Sequence, residues 1–185
     1  MTRATYRVDV AGVSRDLPLF EVAPGVRIAV FNMLGDVELA RATGTALAAR
    51  LAHSRAEVVV TAETKSIPLA SEIAAALAVP YIVFRKSYKS YMGDALSTDT
   101  LSITTGAPQT LYLDEKDRGR LAGKRVAIVD DIVSTGSTLK AMRNLVQQAA
   151  GTVVSEAVVF TEGDERWDGV IALGHLPVFR SGVAT

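Results

Sequence analysis

The sequence contains no cysteine, and only two of its 185 residues are histidine. The absence of cysteine excludes a disulfide framework, a thiolate nucleophile and a cysteine-ligated metal site. The two histidines, His53 and His175, are far apart in the sequence, and neither has the spacing of a metal ligand. We therefore expect no metal centre built from these two residue types.

The chain also has no net charge and no long apolar run. Lys+Arg and Asp+Glu number 20 each, so no net field attracts a polyanion, and we expect no nucleic-acid partner. No apolar segment is long enough to span a membrane, and the N-terminal residues lack the apolar core of a signal peptide. Hydrophobic residues make up 49% of the chain, which excludes wholesale disorder. We therefore expect one cytoplasmic domain over residues 1–185, without a membrane partner.

The most informative segment, residues 126–138, runs from apolar residues through two adjacent carboxylates into a hydroxyl-rich loop. Asp130 and Asp131 follow a continuous apolar run, which is typical of a strand buried on both faces. Successive side chains of a strand point to opposite faces, so both acids can serve one site only where the strand ends. Ligands of open α/β sheets bind at that end of the strands. The carboxylates can accept hydrogen bonds from sugar hydroxyls there.

The loop after the two acids has the composition of a phosphate site. Gly136 lets the backbone approach an anion closely, and apolar residues at helical spacing from 139 to 149 show that the loop opens a helix. The loop supplies four hydroxyl side chains, which are Ser134, Thr135, Ser137 and Thr138. A ligand with both a ribose and a 5′-phosphate fits this arrangement. The alternative is that the acid and the hydroxyls only cap the turn and the helix.

The segment resembles the phosphoribosyl pyrophosphate (PRPP) signature of type I phosphoribosyltransferases. Asp130 and Asp131 match its acidic pair, and residues 134–138 match its 5′-phosphate loop, with Ser137 where glycine is usual. The resemblance covers about residues 24–160 and is to the adenine and xanthine branch. It implies an α/β fold with an open, mostly parallel, twisted sheet flanked by helices. It also implies Mg²⁺ bound through PRPP, with no direct protein ligand and with both acids in its outer shell.

A second loop follows the apolar strand at residues 58–61 and precedes a helix. Ser66 is placed to cap that helix, and Pro68 is tolerated in its first turn. The resemblance makes this the pyrophosphate loop, with Thr64, Lys65 and Ser66 as the matching positions and a cis peptide at Glu63–Thr64. The alternative is a plain turn between strand and helix with an exposed lysine.

A third segment, residues 85–94, carries basic residues away from the end of another strand and shows no clear periodicity up to about Thr98. It is either a solvated loop or a mobile lid that closes on pyrophosphate and excludes water. The resemblance favours the lid, with Arg85, Lys86 and Lys89 reaching the pyrophosphate. In this family such residues sometimes act across a dimer, so we expect a homodimer.

Strands and helices alternate along the chain, which favours a mostly parallel sheet. We predict a core of about residues 36–161 and a small hood of about residues 1–35 and 162–185 over the site. Asp36 is placed to cap the first helix. The remaining predicted elements are strands at 81–84, 153–160 and 170–173, a helix from 67 to 77, and a hairpin formed by 100–105 and 110–113.

The expected activity is transfer of phosphoribosyl from PRPP to a purine base in purine salvage. Phe31 is a candidate for stacking on the purine, although an aromatic at this position is also typical of a core. Thr104 stands where the adenine enzymes commonly carry a glutamate, which leaves adenine, xanthine or hypoxanthine as the base. Two alternatives are a non-catalytic PRPP sensor, related to purine operon repressors, and a catalytically lapsed interaction protein. We expect the enzyme, because few residues precede the fold to form a DNA-binding domain.

Overall fold

The structure is a computed structural model that describes residues 4–100 and 109–180. Its first half contains β1 Thr5–Val10, β2 Val13–Ala23, β3 Val26–Ala29, α1 Val37–Leu51, β4 Val58–Ala62, α2 Ile67–Leu77 and β5 Tyr81–Phe84. Its second half contains β6 Leu96–Thr100, β7 Gln109–Leu113, α3 Glu115–Leu121, β8 Arg125–Val133, α4 Ser137–Gln148, β9 Thr152–Glu162, β10 Val170–Leu176 and β11 Phe179–Arg180. Within these described residues, no helix is long and apolar enough to cross a membrane.

The central sheet has five strands in the order β10-β9-β8-β4-β5, and all neighbours in it are parallel. Each inner strand is apolar on both faces because helices cover both sides. Val129 packs into the core shared with α1 and α2, whereas its neighbour Ile128 packs into the core shared with α4 and β7. The open, parallel α/β sheet predicted from the sequence is confirmed.

The N-terminal strands form a second sheet with the last strand of the described chain. This antiparallel sheet has the order β1-β2-β3-β11 and packs into the α1 side of the core through Val8, Val13 and Leu17. Segments from both termini therefore join, as the predicted hood required. The predicted boundary at residue 162 is wrong, however, because β10 lies in the central sheet beside β9. Only β11 brings the C-terminal segment into the second sheet.

The predicted hairpin is present, but its first strand begins earlier than expected. β6 pairs antiparallel with β7 from Leu96↔Leu113 to Thr100↔Gln109. Residues up to 98, predicted to be irregular, are therefore partly extended, and residues 101–108 lie outside the described residues. The helix α3 was not predicted, because it has seven residues and buries only Leu121.

Candidate functional site

The two adjacent carboxylates lie on β8 at the carboxyl edge of the central sheet. β8 pairs with β4 only as far as Ile128, but it pairs with β9 as far as Val133. Asp130 and Asp131 thus lie beyond the stretch of β8 that pairs with β4 and within the stretch that pairs with β9. The expectation that the strand ends at the acids is wrong, because pairing with β9 continues for two more residues. Asp130 is 7% exposed, whereas Asp131 is half-buried.

Ser66 occupies the position before α2, but its hydroxyl does not cap that helix. It donates instead to Oδ1 of Asp130, at 2.7 Å. The same oxygen accepts a hydrogen bond from the backbone N–H of Asp131, at 2.9 Å. A buried carboxyl group that lacks partners is costly, so the hydroxyl stabilises the structure more at the acid than at the helix end. The predicted capping role of Ser66 is therefore wrong.

Burial raises the pKa of Asp130 to about 8, and the charge of Asp131 contributes to the rise. The hydrogen bond from Ser66 lowers that pKa and so opposes the shift. Burial disfavours the charged form of a carboxyl group, and a like charge beside it does the same. Asp130 is therefore more readily protonated in the ligand-free chain than an ordinary aspartate is. A cation or a set of hydroxyl donors brought to this pair would favour the ionised form of Asp130.

The loop before α4, residues 134–138 and here called the α4 loop, surrounds a polar cavity of about 110 Å³. Gly136 immediately precedes the helix with a φ of +71°, a conformation that glycine adopts without steric cost. Thr135 Oγ1 lies 3.3 Å from Ser137 Oγ. The cavity is lined by Asp130, Ile132, Val133, Leu139 and the five predicted residues Ser134, Thr135, Gly136, Ser137 and Thr138. Hydroxyls and the first amides of a helix suit an anion of phosphate size.

The loop before α2, residues 63–66 and here called the α2 loop, lines a second cavity of about 370 Å³. The predicted cis peptide Glu63–Thr64 is present in it. Lys65 Nζ lies 3.4 Å from the carbonyl oxygen of Phe31. Predicted site residues that line this cavity are Thr64, Lys65, Ser66, Lys86, Asp130, Asp131 and Thr138. Because Asp130, Ile132 and Thr138 line both cavities, the two loops and the acid pair border adjacent cavities at the same edge of the sheet.

Glu63 is a residue of the site that the sequence analysis did not identify. Its Oε2 accepts hydrogen bonds from the backbone N–H of Lys86, at 2.9 Å, and from Nε of Arg85, at 3.2 Å. The hydrogen bond from the Lys86 backbone, with a further contribution from Arg85, lowers the pKa of Glu63. Glu63 thereby ties the basic segment after β5 to the α2 loop. An acid directly after a buried strand was the available signal.

Three predicted residues, Phe31, Arg85 and Lys89, line neither cavity, although Arg85 is held beside the second one by its ion pair with Glu63. Phe31 is 1% exposed and packs edge-on against Phe160, with ring centroids 5.0 Å apart. The prediction that Phe31 stacks on a purine is therefore wrong for this structure, because the ring has no exposed face. Lys89 is exposed beside a short 3-10 helix, Ser90–Met92, and lines neither cavity. Thr104 lies outside the described residues.

Two further residues at this edge escaped the sequence analysis. Glu162 ends β9, next to the strand that carries Asp131. Burial raises its pKa, Lys65 lowers it, and the charge of Asp131 raises it. Trp167 lies against Gly136 in the α4 loop. Neither residue belongs to a local motif, so no sequence pattern indicated them.

The strand, the acid pair and the two loops match one protein family. A family model described as "Phosphoribosyl transferase domain" matches residues 37–168. The chain belongs to the phosphoribosyltransferase family. The resemblance inferred from residues 126–138 is thus confirmed.

The relatives of this chain include enzymes and transcriptional regulators. It is 33% identical over 147 residues to the purine biosynthesis transcriptional repressor PurR of Bacillus subtilis, covering 78% of this chain and 51% of the repressor. It is 36% identical over 132 residues to a xanthine phosphoribosyltransferase of Chloroflexus aurantiacus, covering 69% of this chain and 62% of the enzyme. It is 32% identical over 143 residues to a hypoxanthine/guanine phosphoribosyltransferase of Methanococcus voltae, covering 77% and 69%. The chain spans about half the length of the regulators it matches.

Solved structures support the same fold. Adenine phosphoribosyltransferase from Thermoanaerobacter pseudethanolicus superposes with a TM-score of 0.66 at 21% identity, covering 93% of this chain and 95% of that one. The Trypanosoma brucei adenine phosphoribosyl transferase was solved in complex with AMP, pyrophosphate and ribose-5-phosphate. It superposes with a TM-score of 0.64 at 19% identity, covering 93% of this chain and 76% of that one. The predicted type I phosphoribosyltransferase fold is therefore confirmed.

Proposed function

We propose that this chain is a purine phosphoribosyltransferase, a pentosyltransferase that joins the phosphoribosyl group of PRPP to a purine base. The products are the nucleoside monophosphate and pyrophosphate. The observation that carries this proposal is that the two cavities are adjacent and share Asp130 and Thr138 in their linings. PRPP has an anion at each end of one ribose, so a pair of anion sites joined by carboxyl groups fits its chemistry.

Each part of the site has a role in this reaction. The α4 loop holds the 5′-phosphate through hydroxyls and amides, and Asp131 accepts hydrogen bonds from the ribose hydroxyls. Lys65 and Lys86 face the pyrophosphate in the second cavity, where their charge stabilises the negative charge that develops on the leaving group. Arg85 supports them from its ion pair with Glu63. The base nitrogen is the nucleophile, so the protein has only to hold, orient and shield the reactants.

Mg²⁺ belongs to this proposal as the cation that accompanies PRPP. The adjacent carboxyl groups of Asp130 and Asp131 are hard oxygen donors, which suit Mg²⁺ either directly or through its waters. When bound, the cation would neutralise charge on the leaving pyrophosphate. The half-buried Asp131 and the nearly buried Asp130 would hold its outer shell and the ribose hydroxyls together.

The base is the less defined part of the proposal. The names of the relatives include xanthine and hypoxanthine/guanine enzymes, and those of the structural neighbours include adenine enzymes. We propose adenine, xanthine or hypoxanthine as the acceptor, in a cytoplasmic homodimer that works in purine salvage.

A second candidate function is a PRPP-sensing regulator without transferase activity. The observation that favours it is the 33% identity to the B. subtilis repressor over 78% of this chain. Such a protein would use the same two loops and acids to bind PRPP, but no base would induce chemistry. Both candidates therefore predict PRPP binding, and only the enzyme predicts turnover.

The deciding experiment measures pyrophosphate release from PRPP and Mg²⁺ with adenine, hypoxanthine, guanine or xanthine added singly. Release that depends on one base, and that is lost in the Asp130→Asn, Asp131→Asn variant, establishes the enzyme and its substrate. Calorimetric binding of PRPP with no release under any of the four bases establishes the sensor instead. A chain that neither binds PRPP nor releases pyrophosphate contradicts both functions.

A further inference from the structure

The side chain of Trp167 packs directly on Gly136, the residue that begins the turn into α4. A Cβ atom placed at position 136 would lie 2.7 Å from Cζ3 of Trp167 and closer still to Cη2. Carbon atoms in favourable contact lie about 3.5–4.0 Å apart, so the indole leaves no room for any side chain there. Trp167 therefore forms one wall of the α4 loop.

The wall comes from a distant part of the chain and does not depend on the loop for its position. Trp167 lies in the connection between β9 and β10, residues 163–169, and packs against the core cluster on the α4 side of the sheet. Its backbone carbonyl accepts a hydrogen bond from the N–H of Val170, at 3.1 Å. The indole N–H is buried and has no hydrogen-bond partner among the described residues. Packing, not hydrogen bonding, therefore keeps the ring in place.

Gly136 is constrained in two independent ways by this arrangement. Its φ of +71° is strained for a residue with a side chain, and the indole fills the space that a side chain would need. Ser137 and Thr138, which follow Gly136 at the start of α4, line the cavity. A rigid ring against the glycine restricts the loop to this conformation and lowers the entropy that the loop would lose on binding an anion.

We propose that Trp167 is a positioning residue of the α4 loop: its indole holds Gly136 in the conformation that binds the 5′-phosphate. Because the ring touches the loop, its fluorescence also reports whether the loop is occupied. This inference rests on the part of the proposed function that assigns the loop to a 5′-phosphate, and it is independent of turnover. Loss of the indole should weaken the binding of ribose 5-phosphate. It should not affect the binding of pyrophosphate, which the α2 loop would hold.

The test is calorimetric titration of ribose 5-phosphate and, separately, of pyrophosphate with Mg²⁺ into three proteins. Trp167→Ala should weaken ribose 5-phosphate binding about tenfold, within the range of couplings between contacting residues, and leave pyrophosphate binding unchanged. Trp167→Phe should recover only part of the affinity, because the phenyl ring lacks Cζ3 and Cη2, the atoms nearest Gly136. Unchanged ribose 5-phosphate affinity in Trp167→Ala, or equal loss of both ligands, overturns the proposal.

A matched control separates positioning from general loss of stability. Leu121→Ala removes a buried side chain from the same core cluster, away from the loop. It should lower the unfolding temperature and leave both affinities unchanged at a temperature where the protein is folded. If Leu121→Ala weakens ribose 5-phosphate binding as much as Trp167→Ala does, the selective role of the indole is refuted.

Two further measurements hold even if Trp167→Ala does not fold. Because Trp167 is the one tryptophan in the sequence, saturating ribose 5-phosphate should change the tryptophan emission of the unaltered protein, whereas pyrophosphate should not. Gly136→Ala should weaken ribose 5-phosphate binding more in the unaltered chain than beside Trp167→Phe, because the smaller ring relieves part of the clash. An unchanged emission on binding, or additive effects of the two substitutions, overturns the proposal.

The outcomes also separate this inference from the proposed transferase. Selective loss of ribose 5-phosphate binding in Trp167→Ala, in a protein without turnover on any base, supports the positioning role and rejects the enzyme. Turnover in the unaltered protein, together with normal ribose 5-phosphate binding by Trp167→Ala, supports the enzyme and rejects the positioning role. Failure of the unaltered protein to bind ribose 5-phosphate rejects the assignment of the loop and the inference together.

Discussion

The two loops proposed to bind anions, at the carboxyl edge of the sheet, differ in chemistry. The α4 loop, residues 134–138, presents hydroxyls and backbone amides, and its cavity lining contains no lysine or arginine. The α2 cavity is lined by Lys65 and Lys86, with Arg85 held nearby by Glu63. A phosphate that stays attached to the ribose keeps its charge, so fixed dipoles suffice. A departing pyrophosphate gains negative charge, which full cations stabilise more strongly.

The loops also differ in what holds them in place. The α4 loop is supported by packing, because Trp167 covers Gly136. The α2 loop is supported by polar contacts, since Ser66 donates to Asp130 and Glu63 binds the segment after β5. Changes in charge and pH should therefore affect the α2 loop more than the α4 loop. Asp130 lines both cavities, and the hydrogen bond that the described residues show between the acid pair and the α2 loop is from Ser66 to Asp130.

Loss of both acids should have the largest effect, because it removes the connection between the two loops. In the Asp130→Asn, Asp131→Asn variant, PRPP affinity should fall by about a hundredfold or more, as expected when charge-assisted hydrogen bonds are removed. Isothermal titration with Mg²⁺-PRPP measures this loss. Circular dichroism should show an unchanged fold, and a control at the exposed Glu165, Glu165→Gln, should bind normally. Unaltered PRPP affinity in the double variant would contradict the role assigned to the pair.

A pair of single substitutions should separate the loops. Lys86→Ala should weaken pyrophosphate about tenfold and reduce its salt dependence, since it removes a cation that lines the α2 cavity. Ser137→Ala should weaken the binding of ribose 5-phosphate about fivefold, because it removes one hydrogen bond from a neutral hydroxyl to the phosphate. Each variant serves as the control for the other, because each should leave the second ligand unaffected. If both variants weaken both ligands, the loops do not recognise separate ends of PRPP.

The pH dependence of stability should distinguish the acid pair from the rest of the molecule. The pKa of Asp130 is raised from 3.8 to about 8 in the folded chain. Between these values the folded state holds a proton that the unfolded state has lost, so this group makes stability fall as pH rises through the window. Asp130→Asn should therefore raise the unfolding temperature at pH 8.5 by about 2–4 °C, which corresponds to roughly 1 kcal/mol.

The comparison between pH 6 and pH 8.5 is the internal control for that measurement. The gain from Asp130→Asn should be smaller at pH 6, where the aspartate is already protonated. Glu165→Gln, at an exposed position, should show no such difference between the two pH values. An equal gain at both pH values would mean that the proton on Asp130 does not account for the effect.

The difference between the loops also explains what the sequence could predict. The strand, acid pair and α4 loop are contiguous, so their order alone was enough to name Asp130, Asp131 and residues 134–138 as candidates. The contacts of Ser66 with Asp130 and of Trp167 with Gly136 join residues 64 and 31 positions apart, respectively. Local capping rules predicted that the Ser66 hydroxyl would cap α2. It donates to Asp130 instead, because a buried carboxyl group needs hydrogen-bond donors. Long-range packing of this kind has no signature in a single sequence.

The smallest effect should come from the hydroxyl that links the acid pair to the α2 loop. Ser66→Ala removes the 2.7 Å hydrogen bond to Asp130 and should lower the free energy of unfolding by about 1 kcal/mol. Since that bond lowers the pKa of Asp130, its loss should raise the pKa further and move the fall in stability to higher pH. Urea denaturation across pH 6–9 measures both changes.

Ser71 provides the matched control for this last substitution, since it is a half-buried serine within α2. Ser71→Ala should leave the pH profile unchanged, because Ser71 is not among the described residues that line the two cavities beside the acid pair. Pyrophosphate binding should weaken slightly in Ser66→Ala alone, while ribose 5-phosphate binding stays constant, because the α4 loop is held by Trp167 and not by Ser66. Equal weakening of both ligands in Ser66→Ala would show that the acid pair couples the loops, and would refute their independent support.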